Sequence, residues 1–318
     1  LGEQARELAA ARAQADGDPA ALAAEVERLT DAHAAAGERV RAAGYDGLEL
    51  HTAHGYMFLG SFLAPQRNRR GDRYRGTSVE GRIRVVLETL TAQVRDNEVD
   101  VVVVAGDVFD SATPAAGCYT LLSDTLRALA DTGAQVIVTS GNHDSAARLG
   151  FQAGLLRDGI HVLTDPSRIG DPVTVSDAFG PVQFYGIPFL EPALLRAQWP
   201  GVRSQAEVLG RAMDIVRGDL AVRGGRSVAI AHCFAAGVEP TPHLERDIQQ
   251  GGLDVVPLSV FEGVDYVALG HIHGRQQLAP RVRYAGAPLH YSFGEGDKPR
   301  GSWLVELDAT GFAGAQWL

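Results

Sequence analysis

VDVVVVAGDVFD, residues 99–110, decides the fold. Four consecutive valines follow Asp100, and an unbroken β-branched run marks a strand covered on both faces, as in parallel sheets. It closes on Gly-Asp rather than on a hairpin turn, so the chain leaves the strand through a polar loop. Residues 117–133, GCYTLLSDTLRALADTG, then carry helical spacing and end at Gly133. Residues 134–144, AQVIVTSGNHD, repeat the pattern of a buried strand closed by a polar motif. Strand, helix and strand make one right-handed unit of an α/β fold. In such sheets ligands bind beyond the carboxyl ends of the strands.

Working outward, two more apolar runs close on histidine: SVAIAHCF at 227–234 and VDYVALGHIH at 264–273. PVQFYGIPF (181–189), VRYAGAPLHYSF (282–293) and GSWLVELD (301–308) read as further strands. The chemistry therefore falls in four clusters: Asp107 and Asp110; Asn142, His143 and Asp144; His232; His271 and His273. Singly, each is also what a turn or a hydrogen-bonded core histidine looks like. Together they would bring carboxylate, amide and imidazole to one sheet edge. That donor set suits Mn²⁺, Fe or Zn²⁺, and a carboxylate shared by two ions about 3.5–4 Å apart serves phosphoester hydrolysis.

On these motifs, with YGIPFLEP (185–192), ERDIQQGG (245–252) and YAGAPLHYSFGE (284–295), the chain from about residue 96 resembles the calcineurin-like metallophosphoesterases, and within them the SbcD-like nuclease subunits. The resemblance implies an α/β/β/α sandwich, two divalent ions with Mn²⁺ expected and Mg²⁺ or Fe as alternatives, and hydrolysis of DNA phosphodiesters in repair and recombination. It also implies an SbcC-like ATPase partner, a homodimer and a cytoplasmic location. It assigns Asp107 as the bridging ligand, Asn142, His232 and His271 to one ion, and His273 to the other. His143 would act at the leaving oxygen, Asp144 would orient His143, and Asp110 would fix its loop. Arg148 and His290 are candidate phosphate or structural contacts.

The amino-terminal third reads differently. Residues 1–44 are rich in Ala, Glu and Arg with helical spacing, DGLELH (46–51) reads as a strand, APQRNRRGDRYRGTS (64–78) as a polar loop, and VEGRIRVVLETLTAQVRD (79–96) as a helix capped by Ser78. The phosphoesterases carry an Asp-x-His motif after their first strand. Here residues 50–60 read LHTAHGYMFLG, which sets His54 and Tyr56 at those positions. Neutral His54 is a candidate ligand, whereas a protonated phenol is a poor one. One of the two ion sites is therefore expected to be weak or empty.

The same stretch, within about residues 21–95, resembles the old yellow enzyme family of flavin oxidoreductases. There His51 and His54 would hydrogen-bond a substrate carbonyl, and Arg82 or Arg84 would approach the flavin. The expected organisation is thus residues 1–95 as a helical segment plus a barrel-like strand–loop–helix, and 96–318 as the phosphoesterase domain, with the family's smaller carboxyl-terminal capping domain missing. A catalytically dead scaffold that binds a partner ATPase is the alternative to a nuclease, and a flavin enzyme is the third reading.

Composition sets the bounds. The 318 residues are 45% hydrophobic and 21% charged, enough to bury a core. No apolar run reaches membrane-spanning length, and the start lacks a signal-peptide pattern. Cys118 and Cys233 give no disulfide framework. The net charge of −10 opposes general affinity for phosphates, so any nucleic-acid contact must be local. Lys298 is the single lysine; arginine carries the basic chemistry. One barrel unit cannot build a flavin site, which draws on loops from many strands. The purified chain is expected to be colourless, and a bound flavin seen in its absorption spectrum would revive the third reading.

Overall fold

In a computed structural model the protein is described for residues 79–237, 255–289 and 299–318. His51, His54, Tyr56, Ser78, His290 and the expected elements before residue 79 lie outside these. The first described helix, α1 (Val79–Asp96), has the span its sequence predicts. It leads to β1 (Val101–Ala105), α2 (Ala116–Ala130) and β2 (Gln135–Thr139). Gly133, at φ +100°, turns the chain out of α2 and donates its N–H to Ala130. A short helix α3 (Ala146–Leu149), capped by the Ser145 hydroxyl, precedes β3 (Ile160–Leu163). The three strands form a parallel sheet in the order β1-β2-β3.

A second sheet follows. Its elements are β4 (Val173–Asp177), β5 (Gly180–Gly186), the short α4 (Pro192–Leu195), α5 (Gln205–Arg223) and β6 (Arg226–His232). After the small β7 (Phe234–Ala235) and β8 (Val255–Val256) come β9 (Tyr266–Gly270), β10 (Gln276–Ala279) and β11 (Val282–Tyr284). The strand order is β10-β11-β9-β6-β5-β4. The central strands β5, β6, β9 and β11 are parallel, and the edges β4 and β10 are antiparallel. A hairpin of β12 (Trp303–Asp308) and β13 (Gly311–Trp317) completes the described residues.

Of the strand expected over 282–293, the described residues to 289 pair only through Tyr284. Gly286 adopts φ +84° and Pro288 lacks an N–H, so pairing stops at Tyr284. The sequence reading did not foresee β3, β4, β10, β13 or α5. Of these, α5 carries a full capping box between Ser204 and Glu207.

Alternation along the strands assigns the layers. Ala105, Val101, Val103 and Ile137 meet Val182, Phe184, Val228, Ile230 and Tyr266 in one apolar cluster between the two sheets. The opposite face of the first sheet, Val102, Val104, Val136 and Val138, packs on Leu126 and Leu129 of α2 and on Leu90 and Val94 of α1. Helix α1, placed by sequence in the foreign amino-terminal segment, thus contributes to the same core as β1 and β2. The other face of the second sheet, Tyr185, Ala229, Ala231, Val267 and Leu269, meets Val208, Leu209, Ala212, Met213 and Val216 of α5. Alanines at 229 and 231 let α5 lie close to β6, every residue of which is buried.

At its entrance β6 is fixed by Arg226, whose guanidinium pairs with the Asp177 carboxylate and donates to the Gly180 and Asp308 carbonyls. A buried charge is tolerable when its donors are met in this way. Because Ile230 is fully buried between the sheets, Ile230→Ala should lose about 2–5 kcal/mol of stability in urea titration. Val222→Ala, on the exposed face of α5, should stay within about 0.5 kcal/mol of the parent.

Candidate metal centre

Four strands end at one edge. Parallel pairing sets Ala105 beside Thr139 in the first sheet and His232 beside Gly270 in the second. The residues just beyond are therefore Asp107, Asn142 and His271, with His232 closing β6 itself. Two glycines permit the approach. A Cβ on Gly270 would fall on the Ala105 carbonyl oxygen, and one on Gly141 would fall on the Asp107 carboxylate. Asp107 and His271 hold φ of +49° and +108°, a conformation that side chains rarely adopt and that costs roughly 1–3 kcal/mol each.

Ligand atoms of Asp107, His232 and His271 all lie within 4.8 Å of one another. His232 Nε2 stands 3.2 Å from Asp107 Oδ2 and 2.9 Å from Asn142 Oδ1. His271 Nδ1 stands 3.0 Å from the same Asn142 oxygen and 3.3 Å from His232 Nε2. The opposite nitrogen of His232, Nδ1, lies 2.9 Å from the Ala105 carbonyl and donates to it. In the neutral ring Nε2 is then a bare lone pair. Burial, with His232 alongside, lowers the His271 imidazole to about 4, so that ring is neutral near pH 7.

Burial alone would raise the Asp107 carboxyl. Neighbouring His232 and His143, the latter through its backbone N–H, outweigh it and hold the group below its usual value. The result is a carboxylate, an amide oxygen and two imidazole nitrogens turned on one point with at most one proton among them. Mutual repulsion of these lone pairs is relieved by a cation, and the donor set fits a first-row divalent ion. Phe189 and Phe234 stand edge-on to His232 and His271, at ring separations of 6.2 and 6.5 Å, and form apolar walls.

The remaining candidates take other places. The backbone N–H of His143 donates to Asp107 Oδ1, and its ring Nδ1 meets the Asp110 carbonyl at 3.2 Å. The ring thus contacts Asp110, while Asp144, which the resemblance would have orienting it, makes its hydrogen bonds elsewhere. Asp144 instead accepts N–H bonds from Val108, Phe109 and Gly141 at 2.9–3.1 Å and so ties the first two loops together. Burial raises its carboxyl above the usual value despite those donors.

His273 is half-buried, and its carbonyl accepts from the Ala287 N–H and from Arg300. Its ring lies near enough to His271 to disfavour charging there, but it is not one of the three convergent groups. Arg148 is exposed on α3. The Ala105 carbonyl and the two strained backbones escaped the sequence reading, since main-chain partners leave no residue signature.

Because the unfolded chain has no such cluster, a bound ion should stabilise only the folded state. Mn²⁺ at about 100 times its Kd should add about 2.7 kcal/mol of stability, and His232→Ala should abolish the shift in thermal unfolding.

Comparison with known proteins gives two likenesses. A sequence model of the NADH:flavin oxidoreductase / NADH oxidase family matches residues 9–140. That span includes the β1–α2–β2 unit and ends just before Gly141. Three curated relatives are each the SbcD component of an SbcCD nuclease: 35% identical in Rhodobacter capsulatus, 30% in Escherichia coli and 31% in Bacillus subtilis, each over 74% of this chain. The chain spans 62–64% of the length of these relatives. It thus resembles the SbcD components of SbcCD nucleases, with a likeness to the flavin oxidoreductases across its amino-terminal part.

Proposed function

We propose that this chain is the metal-dependent catalytic part of a DNA nuclease, hydrolysing phosphodiester bonds in partnership with an SbcC-like ATPase. In this reading residues from about 96 form a calcineurin-like α/β/β/α sandwich that works in the cytoplasm. No described helix is long and apolar enough to cross a membrane. The observation that supports the proposal best is the meeting of Asp107, Asn142, His232 and His271 at one edge.

Asp107, Asn142, His232 and His271 would hold one divalent ion, with Mn²⁺ the first choice and Mg²⁺ or Fe the alternatives. His273, with His54 from outside the described residues, would serve a weaker second position beside Asp107. Such ions supply Lewis-acid charge neutralisation at a phosphoryl group and a lowered pKa for water. The protein's own part is positioning. The Ala105 carbonyl keeps His232 Nδ1 protonated and leaves Nε2 toward the site. The Asp110 carbonyl takes His143 Nδ1, which turns Nε2 outward, where the protonated ring can donate to a departing oxygen. Asp144, on three amides, keeps the Asp107 and Asn142 loops in fixed relation.

The second reading is a catalytically dead scaffold that binds a partner ATPase. It is favoured by His54 and Tyr56, which stand where the family carries Asp and His. Elemental analysis separates the two: about two ions per chain for the nuclease and one at most for the scaffold.

The nuclease reading predicts Mn²⁺-dependent cleavage of linear DNA and of a small aryl phosphodiester. Asp107→Ala should lower both by more than about 100-fold. No turnover by the parent chain, or a variant indistinguishable from it, would overturn the reading.

A further inference from the structure

Six arginines of the described residues are committed to carboxylates. Arg127, Arg157, Arg168, Arg217 and Arg223 face aspartates, and Arg226 is held by a carboxylate and two carbonyls. Arg275 differs. It is exposed, and its guanidinium carbon sits 4.8 Å from the ring centre of Trp317 and 5.7 Å from that of Trp303. The two indoles meet each other nearly edge to face, with ring centres 5.1 Å apart. Trp303 is itself anchored, its Nε1–H donating to the Tyr284 carbonyl at 3.0 Å.

Stacking on rings fixes a guanidinium without using its N–H groups, so the fork stays open to an acceptor. The position is also set by the backbone. Arg275 lies four residues beyond His271 and two beyond His273, in the loop that leaves the metal centre for β10. The neighbouring chain is packed tightly there: a Cβ on Gly286 would come within 3.1 Å of the Arg275 nitrogen. A ring-stacked cation with no carboxylate partner among the described residues, in the loop that leaves the metal centre, meets what a net charge of −10 requires of any nucleic-acid contact, that it be local.

We propose that Arg275, pre-set by Trp303 and Trp317, binds a backbone phosphate of the DNA strand entering the metal centre. The assignment rests on the nuclease reading above for its ligand, but its contact is independent of base sequence and of catalysis. Bidentate N–H donation to phosphate oxygens is the interaction a planar fork forms best.

The test measures binding apart from cleavage. Anisotropy of a fluorescein-labelled oligothymidylate, titrated with the full chain in Ca²⁺ across a series of salt concentrations, gives both Kd and the salt slope. Arg275→Gln should weaken binding roughly tenfold and reduce the magnitude of the slope of log K against log salt by about 0.7. Arg275→Lys should keep the slope and lose part of the affinity. Urea midpoints of both variants serve as the control for a purely structural role. Arg275→Gln with the parent's Kd and slope, or a parent chain that binds no DNA, overturns the proposal.

Failure of the two readings is distinguishable. Binding that depends on Arg275 in a chain that cleaves nothing removes the nuclease reading alone. In a chain that does cleave, turnover of a small aryl phosphodiester should be unchanged by Arg275→Gln while KM for DNA rises. An unchanged KM for DNA removes the role of Arg275 alone.

Discussion

At the edge where the metal centre lies, the two sheets come together with the Ala105 carbonyl against the backbone of Gly270 and the Nδ1–H of His232. Most of the described architecture serves this approach. Val101, Val103 and Ile137 on one sheet and Val228, Ile230 and Tyr266 on the other set the separation between the layers. Helices α1, α2 and α5 cover the outer faces. Only with that spacing can an aspartate after β1 and an amide after β2 reach imidazoles after β6 and β9. A change of an ångström in the inter-sheet core would be felt first at the metal centre, because packed interiors transmit strain rather than absorb it.

The electrostatics follow from the same approach. Lone pairs of Asp107, Asn142, His232 and His271 are driven together with at most one proton among them. Two of the four residues adopt unfavourable backbone angles to do so. Such an arrangement is costly for folding, and natural chains keep costs of this kind mainly where function needs them. The same logic separates the two aspartates of the first two loops. Asp107 faces imidazoles and stays ionised, whereas half-buried Asp144 sits on backbone amides and serves as a tie.

Much of this was legible in the residues. The valine run at 101–104, the helix at 116–130 and the closing motifs GD, GNHD, AH and GHIH identified the strand ends and the donor types. What failed was whatever depends on main-chain partners. The resemblance gave Asp144 the orienting of His143, yet its oxygens lie on amides 35 and 36 residues away and on that of nearby Gly141. The short edge strand β10 was missed because its mixed polar text carries little periodicity. Within 282–289 the expected strand was overextended because apolar content masked the interruption at Gly286 and Pro288. The likeness to flavin oxidoreductases was also visible in the residues, and its match to 9–140 runs through β1 and β2 up to the metal loop.

The hydrogen bond from His232 to Ala105 has an effect beyond the present site. Its acceptor is a peptide oxygen, which every amino acid at position 105 would supply equally. Choice of tautomer at His232 is thereby insulated from point mutation at its partner. Side chains around the edge can drift over generations while the nitrogen turned inward stays the same one.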